Sequence, residues 1–419
     1  MRACPYSRAA LLLVAAVAVM AGCSKNPLAV PPPNPPLSQV ILTPDTLRLL
    51  VGQQGQITPS ALDTLGAPAT GVRYAWTAVP AGIFTVTSGG TVTASSEGIA
   101  LAIASASGRS DTTVVIVDVQ SGWYAQASNT TNDLNGVHAA ADGRNVWAVG
   151  NAGTIVHTSN AGANWATLAS NTAFNLNAVW FTSASEGWAA GNSGTIMHTT
   201  NASAANASVV WTRMTNVAAS ENLMDIMFVD AMHGWAVGSG GAILKTRDGG
   251  VNWIKKNPTS FQLESVSFSD TSNGWAVGFG GVIVGTHDGG NSWYVVQPAV
   301  TGQSLHSVWR RTNTEAWTAG PAGAYAFTTA TADSFAWNLS SLGAANHAER
   351  LQMVTATTGY VVGQNGGGLV LKTEDGGGLW SPQVSSSAQR LFDVWFVDAE
   401  RGWAVGVGGR IIHTSRGGE

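Results

Sequence analysis

The chain is predicted to be all-β, with a seven-bladed β-propeller over residues 122–419 and a small β-sandwich before it. Three observations carry that prediction. Residues 223–253, LMDIMFVDAMHGWAVGSGGAILKTRDGGVNW, have six further copies, whose matching aromatic positions are Trp147, Trp188, Trp235, Trp275, Trp317, Tyr360 and Trp403, about 43 residues apart. Each copy holds four short runs rich in Val, Ile, Phe, Trp and Thr between glycine-bearing turns, the pattern of four antiparallel strands, and four strands at this period make a propeller blade. The 50 glycines and many β-branched residues oppose helical repeats of the same length. Finally, the seventh copy stops without its closing tryptophan, while a spare strand, Gly122-Trp123-Tyr124, precedes the first copy. Joining the two closes the ring and leaves that blade no unpaired edge.

From the start of the chain, residues 1–22 read as an export signal. Arg2 and Arg8 precede an apolar run from Ala9 to Val19, and Met20-Ala21-Gly22-Cys23 follows; the run is too short for a comfortable membrane span. Its ending resembles the lipobox of bacterial lipoproteins, which implies cleavage before Cys23 and a lipid anchor on Cys23. The alternative is an ordinary cleaved signal. Of the two cysteines, Cys4 leaves with the signal, so the mature chain has no pair for an internal disulfide. Residues 23–37 form a linker with six prolines between Pro27 and Pro36, a semi-rigid spacer. By resemblance to lipoprotein sorting, Ser24 implies an outer-membrane destination.

Residues 38–119 hold seven expected strands, around Ile41, Arg48, Ala75, Thr85, Val92, Ala102 and Val115, and so a β-sandwich. Leu42-Thr43-Pro44, Val51-Gly52-Gln53, Trp76 and Gly90-Thr91-Val92-Thr93-Ala94 resemble the bacterial Ig-like group 2 domain. That resemblance implies a spacer, in some members an adhesive one.

In the ring, Gly234-Trp235-Ala236-Val237-Gly238, Ile243-Leu244-Lys245-Thr246 and Asp248-Gly249-Gly250-x-x-Trp253 resemble the Ycf48/Hcf136-type propellers, photosystem II assembly and stability factors, and share the Asp box of sialidase-type BNR repeats. The resemblance implies the propeller fold over residues 122–419 and a non-enzymatic assembly role in which an arginine-bearing patch holds the partner; Arg213, Arg247, Arg310, Arg311 and Arg350 are the scattered arginines here. Asp248, Asp288 and Asp375 are read as structural Asp-box residues, since an aspartate accepts from the amides of its own tight turn.

Trp180, Trp309 and Trp395 share one slot of the first strand, in blades two, five and seven, and serve either inter-blade packing or an aromatic surface near the central channel for a peptide or sugar. Asp225 and Asp393 occupy a second shared slot, and their counterparts are read as Gly136, Ala178, Ser265, Ser307 and Met353. With the basic pair Arg310 and Arg311, these make the candidate ligand-binding set. No catalytic residues are assigned: a sialidase would need an arginine cluster and a tyrosine nucleophile, and a paired-carboxylate glycosidase would rest on Asp225 and Asp393 alone. His157, His198 and His413 are equivalent positions on separate blades, too far apart to share an ion, so no metal is expected, and no cofactor.

Without Arg2 and Arg8 the mature chain has 18 basic against 24 acidic residues, and it lacks the basic stripe of a nucleic-acid binder. The expectation is therefore a monomeric, exported, lipid-anchored envelope protein. Its propeller binds or assembles an envelope protein or a polysaccharide; the competing class is a BNR-type glycan hydrolase.

Overall fold

Each repeat folds as its alternation dictates. The computed structural model describes residues 36–96, 98–118, 122–203, 208–217, 220–296, 300–329 and 336–418. The signal, Cys23 and nearly all of the proline linker lie outside the described residues, as does the Ala332-Asp333-Ser334 remnant of the fifth Asp box. Among the described residues, no helix is long and apolar enough to cross a membrane. Two compact units are present.

In the N-terminal unit, Leu37–Thr43 pairs with Thr58–Asp63. A four-stranded sheet has the order Thr46–Leu50, Arg109–Asp118, Gly98–Ala106, Ala75–Val79, and a three-stranded one the order Gln54–Gln56, Thr91–Ala94, Phe84–Val86. Nine strands thus stand where seven were expected. Those missed, Gln54–Gln56 and Thr58–Asp63, are polar, and the second carries Pro59. A proline that cannot donate to a ladder is tolerated in an edge strand, and among the named strands Thr58–Asp63 pairs with Leu37–Thr43, its other side making a short bridge from Leu62 to Pro68 beyond the proline.

The C-terminal unit contains seven four-stranded antiparallel sheets. Six are built from consecutive strands of one repeat. In the seventh, Tyr124–Gln126 adds to Arg410–Thr414, with Tyr124 opposite His413, so the beginning of the ring supplies the outer strand of its last blade. Trp123 is buried against Tyr360 and Phe396, with ring centroids 6.3 and 5.6 Å away. The first strands of successive blades pack on one another in a closed cycle, blade seven against blade one.

The repeated letters are explained by contacts between blades. Phe228 of blade three stacks at 3.8 Å on Trp188 of blade two, which stacks at 4.7 Å on its own His198. The same three layers recur as Phe181, Trp147 and His157. The equivalent histidines are therefore stacking partners, and no His, Cys, Asp or Glu cluster suited to a metal occurs among the described residues. Glycine precedes the tryptophan because a Cβ on Gly234 would come within 2.5 Å of the Phe228 ring.

The Asp box closes the corners at Asp248, Asp288 and Asp375. Thr246 Oγ1 donates to Asp248 Oδ1 (2.8 Å), which accepts from the amide of Asn252 (2.9 Å), while Gly250 N donates to Thr246 Oγ1 (2.9 Å). Asp288 and Asp375 repeat this geometry. The worn box of blade one keeps it with Asn160 in place of aspartate. The three intact corners also receive a neighbour: Trp188 Nε1 donates to Gly249 O, Trp235 to Gly289 O and Trp317 to Gly376 O, all at 3.0 Å.

Candidate functional site

The first strand of every blade turns two side chains toward the channel. The deeper layer holds Gly136, Ala178, Asp225, Ser265, Ser307, Arg350 and Asp393. The sequence reading placed Met353 in this layer, and the register corrects it: Arg350 pairs with Val362, as Asp225 pairs with Val237 and Asp393 with Val405. Where the other blades open on leucine, blade six has Ala348 opposite Gly363, as Leu223 stands opposite Gly238. Counting back ten residues from Tyr360, the interval between Asp225 and Trp235, finds Arg350 in the sequence.

Much of this layer caps strand edges. An innermost strand has no neighbour on its channel side, so its outward amides need partners. The preceding blade supplies several: Asp225 Oδ2 accepts from Val266 N (3.0 Å), Ser265 Oγ from Val308 N (3.2 Å), Ser307 Oγ from Leu351 N (2.9 Å) and Asp393 Oδ2 from Val137 N (2.8 Å). Ala178 and Arg350 have no acceptor to offer the next blade. In the blades that follow them, the aspartates serve their own following amides: Asp225 Oδ1 accepts from Ile226 N (3.0 Å) and Asp393 Oδ1 from Val394 N (2.9 Å). The two candidate carboxylates stand where the preceding blade fails to cap.

Arg350 joins them. Its Nη1 and Nη2 grip Asp225 at 2.9 and 3.0 Å, and its Nε reaches Asp393 at 3.0 Å. One guanidinium faces two buried carboxylates, leaving a net charge of −1. Burial raises the Asp393 carboxyl to about 6, against the opposing pull of Arg350 and with help from Asp225. Burial would lower the Arg350 pKa, but the two aspartates outweigh it and hold the guanidinium charged. With both carboxylates occupied by Arg350 and by amides, the triad has the character of a structural clasp.

Above it lies the second layer: His138, Trp180, Met227, Ser267, Trp309, Gln352 and Trp395. Here the three candidate tryptophans meet across the lumen. Trp395 lies edge-on to Trp180 at 5.1 Å and to Trp309 at 5.8 Å, and His138 packs 4.0 Å from Trp395 and 4.9 Å from Trp180. All three indoles are half-buried. Ser267 and Gln352 cap further amides, accepting from Arg310 N (2.8 Å) and Phe396 N (2.7 Å).

Two cavities open beside these rings. One, of about 400 Å³, is lined by Trp180, Trp309, Trp395, Met227, Arg310 and Arg350 among others. The other, of about 810 Å³, spans blades seven, one, two and three under Trp180 and Trp395. Of the basic pair, Arg310 is buried, its Nε donating to Ser269 Oγ (3.0 Å) and its guanidinium over the Trp275 ring at 5.8 Å. Arg311 pairs instead with Glu315 and lines neither cavity. The structure thus brings Trp180, Trp309, Trp395 and Arg310 to one mouth with Arg350, in the sequence only one of the scattered arginines, and with Asp225 and Asp393 beneath. Asp248, Asp288 and Asp375 stay in their turns. The opposite side of the ring carries Glu349, bound by His306 Nδ1 (3.1 Å) and by Arg390.

A family model described as Photosynthesis system II assembly factor YCF48 matches residues 203–299. Among solved structures, one titled YCF48 bound to D1 peptide is 20% identical with a TM-score of 0.58, covering 70% of this chain and 95% of its own. YCF48 from Cyanidioschyzon merolae is 19% identical with a TM-score of 0.58, covering 70% of this chain and 98% of its own. The WD40 β-propeller domain of Doa1 superposes nearly as well, with a TM-score of 0.57 at 10% identity, covering 71% of this chain and 97% of its own. At these identities the likeness establishes a Ycf48-like β-propeller fold. No curated protein matches the chain by sequence.

Proposed function

We propose that this protein is a non-catalytic binding or assembly platform whose propeller holds an extended segment of a partner protein at the tryptophan-lined mouth. The observation that carries the reading is the convergence of Trp180, Trp309 and Trp395, from three non-adjacent blades, on one half-buried surface over a cavity. Large rigid aromatics that keep part of their surface exposed supply contact area at low entropic cost, and a ring of blades fixes them in place. The solved YCF48 with a bound peptide has the same fold and supports a peptide as the ligand class. The Asp225–Arg350–Asp393 clasp weighs against a paired-carboxylate glycosidase, which needs one acid free to give up a proton and a second free to attack or to activate water.

The rest of the reading concerns placement. Cys23 carries a lipid, the proline run and an Ig-like domain act as spacers, and the ring faces the periplasm or the exterior from an outer membrane. The lipobox-like ending before Cys23 and the proline content support this.

The test is affinity capture with the mature ectodomain, followed by cross-linking and mass spectrometry, in parallel with a variant carrying Trp180→Ala, Trp309→Ala and Trp395→Ala. Loss of the captured protein in the variant, with circular dichroism unchanged, supports the mouth as the site. Equal capture by both proteins refutes it, as does turnover of a screened glycan that Asp393→Asn abolishes. Cys23→Ala should move the protein from the membrane to the soluble fraction.

A further inference from the structure

We propose that the sector of the mouth between blades seven and three is a receptor for a cationic side chain, lysine or arginine, of the partner segment. This rests on the platform reading above and names the chemistry of its ligand. The sector is the cavity of about 810 Å³ whose lining contains the aromatic rings Trp180, Phe181, Phe228, Trp395 and Phe396 and the carboxylates Asp142, Glu186 and Asp230, and no lysine or arginine. An ammonium or guanidinium group is attracted by the faces of aromatic rings, most strongly where water is partly excluded, and carboxylates at the rim steer and hold it.

Two of these carboxylates, Asp142 and Asp230, are held charged. Burial would raise Asp142 and Asp230, but hydrogen bonds from Asn145 and Arg144 to the first, and from His233 and Met232 to the second, outweigh it and hold both below the usual carboxylate range. Glu186 lies 3.3 Å from His198 Nε2. Arg401 is outside the lining and is held by Asp398 through its Nε (2.8 Å) and by the main-chain oxygen of Asp142 through its Nη1 (3.1 Å).

A second observation points independently to a ligand. His138 lines the same cavity, is 4% exposed, and its Nδ1 has no hydrogen-bond partner among the described residues. Burial, with Arg350 adding to it, lowers this ring to about 3, so it is neutral and can accept from a donor. A buried polar atom without a partner costs stability, and a donor entering beneath Trp180 and Trp395 would relieve that cost.

Charge also decides between this sector and the neighbouring one. The cavity under Trp309 presents Arg310, which repels a cation, while the Arg350 guanidinium beside it is engaged by Asp225 and Asp393. The positive group therefore goes to the side of Asp142, Glu186 and Asp230, and the segment that carries it runs across the indoles toward Trp309.

The experiment titrates the mature ectodomain with four capped pentapeptides, Ala-Ala-X-Ala-Ala, where X is lysine, arginine, norleucine or glutamate, following indole fluorescence and calorimetry. Lysine and arginine peptides should bind at least fivefold more tightly than the norleucine peptide. That margin should shrink as salt is raised from 50 to 500 mM, since exposed carboxylates are screened. Trp395→Phe keeps a ring and should retain the preference, Trp395→Ala should lose it, and a Glu186→Gln/Asp230→Asn double variant should weaken the lysine peptide several-fold and leave the norleucine peptide unchanged. Equal binding of lysine and norleucine peptides, preference for glutamate, or no binding of any peptide overturns the proposal. So does a neutral oligosaccharide that quenches the same indoles and displaces the lysine peptide. If the ectodomain still captures a protein through its tryptophans while the lysine peptide does not bind, the platform stands and the cation receptor falls.

Discussion

Replacing Arg350 by leucine tests the clasp at the centre of the ring. The substitution keeps an apolar stem and removes the cation that bridges Asp225, 2% exposed at its side chain, and Asp393, 9% exposed. Three N–O contacts of 2.9 to 3.0 Å disappear, and two buried carboxylates are left facing each other. Breaking a buried ion pair by removing one partner costs about 3–5 kcal/mol. The Arg350 side chain is 22% exposed to the lumen, which places the expected cost near the lower end, about 3 kcal/mol. For a ring of roughly 300 residues that is a fall in Tm of about 5 °C. The pH dependence gives a sharper signature. Without the guanidinium the Asp393 carboxyl, already raised by burial, is raised further, so between its unfolded and folded pKa values the folded state binds more protons than the unfolded state, and stability increases as pH falls through that window. The gap between Arg350→Leu and wild type, measured by chemical denaturation, should therefore narrow from pH 8 to pH 5. A cost below about 1 kcal/mol, or a gap that does not change with pH, would show that the triad is not the clasp inferred here.

Further expectations follow from the same contacts. Burial holds Asp393 raised to about 6, so wild type should gain stability as pH falls from 7 toward 5, and Asp393→Asn, which removes the titrating group, should show less of this gain; identical pH profiles would contradict the assignment. Gly234→Ala would set a Cβ within 2.5 Å of the Phe228 ring and should destabilise by about 1–3 kcal/mol, read from the denaturation midpoint. Trp123→Ala empties a site packed on Tyr360 and Phe396 and should cost about 3–5 kcal/mol, with earlier proteolysis at the 122–126 strand than in wild type. In the Asp box, the Asn252 amide first, then its side chain and Thr246, hold Asp248 below the usual carboxylate range against burial. Its stabilising contribution is present above the unfolded pKa and disappears as pH falls through the lowered folded one, so the destabilisation by Asp248→Ala should shrink in acid.

The blade period, the four-strand unit and the closure were legible because they rest on local chemistry that recurs from blade to blade: in most a glycine against a phenylalanine ring, in several a threonine and aspartate that cap one turn and a tryptophan bonded to the next corner. Arg350 was not legible in the same way, since blade six opens on Ala348, and a pattern anchored on leucine slides to Leu351. The more instructive gap concerns the tryptophans. Their shared slot could be read, but blades two, five and seven are not neighbours, and a repeat pattern carries no distance across a ring. The contact depends on what fills the blades between them. Between Trp180 and Trp395 stands His138, flat enough to pack within 5 Å of both rings; between Trp309 and Trp395 stands Gln352, whose amide is committed to the main chain of Phe396. These intervening side chains leave room for the indoles to lean inward and touch. The mouth is therefore defined as much by the blades that lack a tryptophan as by those that have one, and a variant placing a bulky ring at Gln352 would alter the site without touching any residue of the aromatic set.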